Sequence, residues 1–262
     1  SYLAALDAFH DVPDDIRIIA CRHESGAAYM AEAYGKITGK PGVVFVTRGP
    51  GACNAAIALH TAFQDSTPMV VFIGQVARNQ EYREAFQEID YRQFYAPVTK
   101  SVAQIERADR IPELVSQAFH RAMAGRCGPV ALSLPEDMLS ERTPVDDAAS
   151  YVVDRPGADP HDMQSLRELL SVARSPFLLI GGGGWTPEAC ADIVAFADAN
   201  DLPTGCSFRC QHLFDNTHKN YAGDVGIGIN PKLADRIRNA DLLVVVGARL
   251  GEQTTRGYTL VD

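Results

Sequence analysis

Residues 42–74 read GVVFVTRGPGACNAAIALHTAFQDSTPMVVFIG. Two unbroken apolar runs, GVVFVT (42–47) and PMVVFIG (68–74), flank a stretch of helical length over 52–64. A strand with one wet face alternates apolar with polar residues; an unbroken run suits a strand covered on both faces, as in a parallel sheet between helices. Similar runs stand at IRIIA (16–20) and GPVALSLP (128–135). Helical spacing is expected over 24–37 and over 107–124, where Ile111, Leu114, Val115, Ala118 and Phe119 share one face. Alternation of the two kinds of segment predicts an α/β fold.

After Pro135 the character changes. EDMLSERTPVDDAASYVVDRPGADP is polar, rich in Asp and Pro and without a sustained period, which marks a linker. A second α/β pattern follows: a strand in PFLLIGGGG, a helix over 187–199, a short strand near LPTGCS, a helix over 231–239 and a strand in DLLVVVGARL. The expectation is two consecutive three-layer domains, residues 1–140 and 161–262, joined by a linker over 141–160. Each would hold a mainly parallel sheet with helices on both faces.

The chain has 262 residues and a net charge of −9 without acidic or basic blocks, so nucleic acid is not expected as a partner. No apolar run approaches membrane-spanning length, and SYLAALDAFH lacks the regions of a signal peptide. A soluble, cytoplasmic protein is expected. The six cysteines form no C-x-x-C pair and are expected to be reduced and mostly buried.

Several stretches could carry chemistry. Glu24, in RHESGAAYMAEAYGK, opens a helix after an apolar run; it could merely complement the helix dipole, yet Ser25, Gly26, Ala27 and Ala28 leave room for a flat ligand beside it. TRGPGACN (47–54) is a strand-to-helix turn that could cradle an anion, although it lacks the Lys and Ser/Thr of a P-loop. GQVARNQEYREAFQEID (74–90) is a long polar segment after a buried strand, where Phe86 and Gln87 could line a pocket. GGGG (181–184), before Thr186 and Pro187, suggests either a dinucleotide turn or a tight structural one. Cys206, Cys210, His212 and His218 match no standard zinc spacing, so no metal is expected there.

Taken in order, RHESGAAYMAEAYGKITGKPGVVFVTRGPGACNA, DSTPMVVFIGQV, EAFQEID and GRCGPVALSLPEDM resemble thiamine-diphosphate enzymes of the acetolactate synthase type. The resemblance implies a pyrimidine-binding domain followed by a central domain. It implies that Glu24 hydrogen-bonds the aminopyrimidine ring of the cofactor and exchanges a proton with it, so that burial should oppose the helix terminus that keeps the carboxylate ionised. Pro50 and Asn54 would pack around the cofactor, Phe86 and Gln87 would lie beside its thiazolium and the substrate, and Arg126 is similar to an arginine that contacts FAD. The implied substrate is pyruvate or another 2-oxo acid, cleaved and transferred to a second carbonyl; the implied cofactors are thiamine diphosphate, Mg2+ and, in some members, FAD. The cofactor would lie between subunits of a homodimer or tetramer.

Departures from the family pattern keep other chemistry open. Ala77 replaces the usual proline, Arg83 and Glu84 replace Thr and Asp, and Glu136 stands where lysine is usual. A decarboxylase of the same family, or a non-catalytic FAD- or nucleotide-binding module, is the alternative. The Gly-Asp-Gly and Asn-Asn motif that holds diphosphate and magnesium is not matched; AGDVGIGIN (222–230) is a decoy. The chain is therefore expected to be a fragment that lacks the diphosphate-binding domain as well as the first strand and helix of its first domain, and to be inactive alone.

Overall fold

The computed structural model describes residues 1–12, 14–153 and 157–261. The chain divides into two compact units, Ser1–Asp154 and Arg155–Asp262. Of the expected linker, 141–153 and 157–159 carry no helix or strand, and 154–156 lie outside the described residues.

The first unit contains, in order, α1 (Leu3–His10), α2 (Glu24–Thr38), β1 (Gly42–Val46), α3 (Pro50–Asp65), β2 (Met69–Gln75), α4 (Tyr91–Tyr95), β3 (Ser101–Gln104), α5 (Ile111–Met123) and β4 (Pro129–Pro135). The strands form one parallel sheet in the order β1-β2-β4-β3. Every residue of β2 and β4 is buried, as the unbroken apolar runs require. Their side chains part by alternation. Met69, Val71 and Ile73 join Ala28, Ala31, Ala55 and Leu59 of α2 and α3 on one face. Val70, Phe72, Val130 and Leu132 meet Ala118 and Ala122 of α5 on the other. Each large apolar side chain so enclosed contributes about 1.5–3 kcal/mol.

The second unit repeats the plan with α6 (Pro160–Val172), β5 (Pro176–Ile180), α7 (Pro187–Ala199), β6 (Thr204–Ser207), β7 (Tyr221–Val225), α8 (Pro231–Arg238) and β8 (Leu242–Val246). Its parallel sheet runs β7-β6-β5-β8. Leu178 and Ile180 face α6 and α7, whereas Phe177 and Leu179 face α8. The expected α/β class, two parallel sheets each covered on both faces, is what the chain adopts.

Some expectations fail. IRIIA (16–20) is not a strand; Ile16, Ile18 and Ile19 are about half exposed, and the segment pairs with no strand among the described residues. An apolar run becomes a strand only where a neighbour takes up its backbone hydrogen bonds. The thiols are not mostly buried: Cys206 is, while Cys21 and Cys53 are exposed and the other three are intermediate. Helices α1, α4 and α6 and strands β3 and β7 were not anticipated. α1 is held through the rings of Tyr2 and Phe9 on Phe45, a contact that no local period announces.

Candidate functional site

In a parallel sheet every strand ends at the same edge, and the loops leaving that carboxyl edge converge. In the first unit these are the β1–α3 turn and the segments after β2, β3 and β4; α2, which runs back toward the start of β1, also begins there.

Glu24 is the first residue of α2. His23 caps the helix, its Nδ1 accepting from the Ser25 amide at 3.2 Å. The Glu24 Oε2 accepts a hydrogen bond from Asn54 Nδ2 at 3.0 Å, which joins the starts of α2 and α3. This bond first, and then Glu24's own backbone amide, hold the carboxyl below the usual range for glutamate; burial opposes them without prevailing. The competition left open by the sequence is thus decided toward the ionised form. A Cβ on Gly51 would stand 3.3 Å from Glu24 Oε1 and 2.7 Å from Thr47 Cγ2, so the buried glycine lets Thr47 and the Glu24 carboxylate pack directly against the start of α3. The small residues after Glu24 differ in setting: Ala28 is packed into the core between α2 and α3, Ser25 and Ala27 are partly buried, and Gly26 is exposed with nothing within 4 Å of its Cβ position.

Gly49, at φ 62° and ψ −114°, turns the chain from β1 into α3. Its amide donates to the Tyr91 hydroxyl at 2.9 Å, and Gln87 Cβ lies where a Gly49 side chain would point, 2.7 Å from the Cβ position. Burial pushes the Tyr91 phenol up to about 12. Glu24, Pro50, Asn54 and Gln87 are therefore gathered around one turn, with Phe86 beside Gln87 on an outward-facing, 77% exposed side chain. Tyr91 was missed in the sequence because nothing in its local pattern separates a core tyrosine from one that braces a turn.

Arg126 is not part of this cluster. It precedes β4, at the amino edge, roughly 20 Å from the strand's other end. Its guanidinium donates to Phe63 O at the end of α3 and to Ser66 Oγ, and lies 5.3 Å from the centre of the Phe63 ring.

Glu136 has a partner that the sequence did not disclose. Its Oε2 accepts from Arg48 Nη1 at 2.7 Å, with Arg48 19% and Glu136 41% exposed. The carboxylate at 136 is thereby matched to an arginine on the β1–α3 turn. Glu136→Lys would set an ammonium against that guanidinium, and the expected loss is about 1–2 kcal/mol in urea unfolding, against about 0.5 kcal/mol for Glu136→Gln.

In the second unit the GGGG turn is explained by close packing. A Cβ on Gly182 would fall 2.1 Å from Gly247 O, so the loops after β5 and β8 meet backbone to backbone. Thr186 Oγ1 caps α7 by accepting from the Ala189 amide at 3.1 Å. Burial pushes the Cys206 thiol up to about 12. Among the described residues no group of three or more His, Cys, Asp or Glu side chains is disposed for a metal ion. No helix among them is long and apolar enough to cross a membrane.

Comparison with known families matches residues 1–94 to "Thiamine pyrophosphate enzyme, N-terminal TPP binding domain" and residues 163–261 to "Thiamine pyrophosphate enzyme, central domain". The chain belongs to the thiamine pyrophosphate enzymes. It is 35% identical over 255 residues to the acetolactate synthase large subunit of Haemophilus influenzae and 34% identical over 255 residues to the acetolactate synthase isozyme 3 large subunit of Escherichia coli. Each match covers 95% of this chain and 44% of the relative. Among solved structures, a benzoylformate decarboxylase from Polynucleobacter necessarius superimposes with a TM-score of 0.83 at 28% identity, over 94% of this chain and 46% of that one. The chain thus spans less than half the length of these relatives. Glu24, Pro50, Asn54, Phe86 and Gln87 fall within the N-terminal match, while Arg126 lies outside both matched ranges.

Proposed function

We propose that the first unit is the pyrimidine-binding domain and the second the central domain of an acetolactate-synthase-like enzyme acting on pyruvate or a related 2-oxo acid. The observation that carries this is the Glu24 carboxylate, only partly buried at the carboxyl edge of the sheet and fixed there by Asn54. The aminopyrimidine ring of thiamine diphosphate would be held by the Glu24 carboxylate, whose oxygens offer it a hydrogen-bond acceptor. Thiamine diphosphate, when bound, supplies the electron sink for cleaving and ligating 2-oxo acids.

The chain's own part is to bind and to move a proton. Glu24 holds its oxygen at the ring edge and exchanges the proton there; Asn54 fixes the carboxylate's orientation and Pro50 forms the wall behind it. Phe86 and Gln87 present a face to the substrate and keep water from it. Excluding water from Glu24 raises its proton affinity from the low resting value, which suits a group that must both accept and return a proton. In this reading Mg2+ and the diphosphate are held outside the described residues. FAD with Arg126 as a contact, a cytoplasmic location and a homodimer or tetramer complete the proposal.

A decarboxylase is the second reading, favoured by the likeness to benzoylformate decarboxylase. Product analysis of the whole protein with pyruvate, thiamine diphosphate and Mg2+ separates the two. Acetolactate is expected; acetaldehyde would favour the decarboxylase, and consumption of no 2-oxo acid would overturn both.

A further inference from the structure

The segment between β2 and α4 combines tight anchors with a strained interior. Its base is closed by buried Gln75, whose Oε1 accepts from the Val76 amide at 3.0 Å and whose Nε2 donates to Ile89 O at 2.9 Å. Near its start, Arg78 is tied to Asp137 through its amide and its Nε at 3.0 and 2.8 Å. Between these anchors, Tyr82, Glu84 and Gln87 all have positive φ, at 60°, 56° and 65°. Such a conformation costs a non-glycine residue on the order of 1 kcal/mol, so three within six positions do not persist unless something holds them.

One carboxylate bonds two amides of this stretch, while Gln87 packs on Gly49. Glu88 Oε1 accepts from the Tyr82 amide at 2.7 Å, and Oε2 accepts from the Ala85 amide at 3.2 Å. Both oxygens are thus spent inside the segment, on the two sides of Glu84. The frame so made sets Phe86 outward, 77% exposed, and seats Gln87 against Gly49 beside the start of α3.

We infer that Glu88 is the positioning residue for Phe86 and Gln87: it stores a strained loop in the one shape that presents both side chains at the carboxyl edge. The meaning of that presentation rests on the thiamine diphosphate reading; the way the loop is held does not. A carboxylate is suited to the role because it offers two acceptors and no donor, and charged acceptors make the stronger bonds to amides.

Amide hydrogen exchange in the whole protein tests the frame. In Glu88→Ala the Tyr82 and Ala85 amides are expected to exchange at least ~10-fold faster, with β2 and α3 unchanged; Glu88→Gln, which keeps one acceptor, should fall between. If Glu88→Ala does not fold, Glu88→Gln carries the test. Unchanged exchange at both amides would overturn the inference. In the same variants kcat/KM for pyruvate should drop about 10-fold in Glu88→Ala and recover in part in Glu88→Gln, while C2-proton exchange of bound thiamine diphosphate stays within about twofold, because Glu24 stands on α2. A loosened loop with undiminished kcat/KM would overturn the positioning role. Absence of C2 exchange in the unsubstituted protein would instead remove the thiamine diphosphate reading and leave the amide result to judge the frame.

Discussion

Glu24→Gln in the whole protein is expected to slow C2-proton exchange of bound thiamine diphosphate, and turnover with it, by at least ~100-fold, the range for loss of a positioned acid–base group. Stability at neutral pH should change by no more than about 0.5 kcal/mol, because the glutamine carbonyl can still accept from Asn54 and Glu24 is only partly buried. The pH dependence separates charge from shape. Asn54 and the helix amide hold the Glu24 carboxyl below the ordinary value of 4.5, so the stabilisation from its charge is fully present above 4.5 and is lost as pH falls through the lowered value. The glutamine variant has no such charge to lose. Urea unfolding from pH 7 to pH 3 should therefore show the advantage of the wild type shrinking only at the acid end. A rate loss accompanied by broad destabilisation would mean that Glu24 is structural.

Gly49→Ala carries the largest expected cost in stability. An alanine at φ 62° and ψ −114° lies in a region that side chains avoid, and its Cβ would be 2.7 Å from Gln87 Cβ and 2.9 Å from Gln87 O. Strain and overlap together should cost about 3 kcal/mol, lowering the melting temperature of the first unit by roughly 6–12 °C. The substitution also pushes Gln87 from its seat, so turnover should fall even where the fold survives. Gly26→Ala is the control: it lies within α2 and nothing stands within 4 Å of its Cβ, so stability should hold or rise by about 0.5 kcal/mol. Equal melting temperatures for the two variants would show that the β1–α3 turn is not the constrained element described.

Legibility follows the range of the interactions involved. Strands β2 and β4 were readable because burial on both faces leaves an unbroken apolar run, and α5 because its apolar residues recur at one period. β3 was not, since its four residues are all half-buried and mix small with polar side chains. IRIIA misled for the opposite reason, carrying a strand's composition without a strand beside it. Within the site, Glu24, Pro50, Asn54 and Gln87 could be named from the family pattern, and the fold gathers them at one turn. Arg126, named the same way, stands at the other edge of the sheet.

The sequence by itself determined the α/β plan and the family, since periodicity and local motifs are written along the chain. Tertiary structure alone decided the charge state of Glu24, the pairing of Glu136 with Arg48 and the holding of the 82–87 segment by Glu88. The first two join groups 30 and 88 residues apart. Glu88 grips amides only three and six residues away, but through positive-φ turns that no local propensity specifies. A hydrogen bond depends on a position and a direction in space, and neither exists until the strands have brought those loops to the same edge of the sheet.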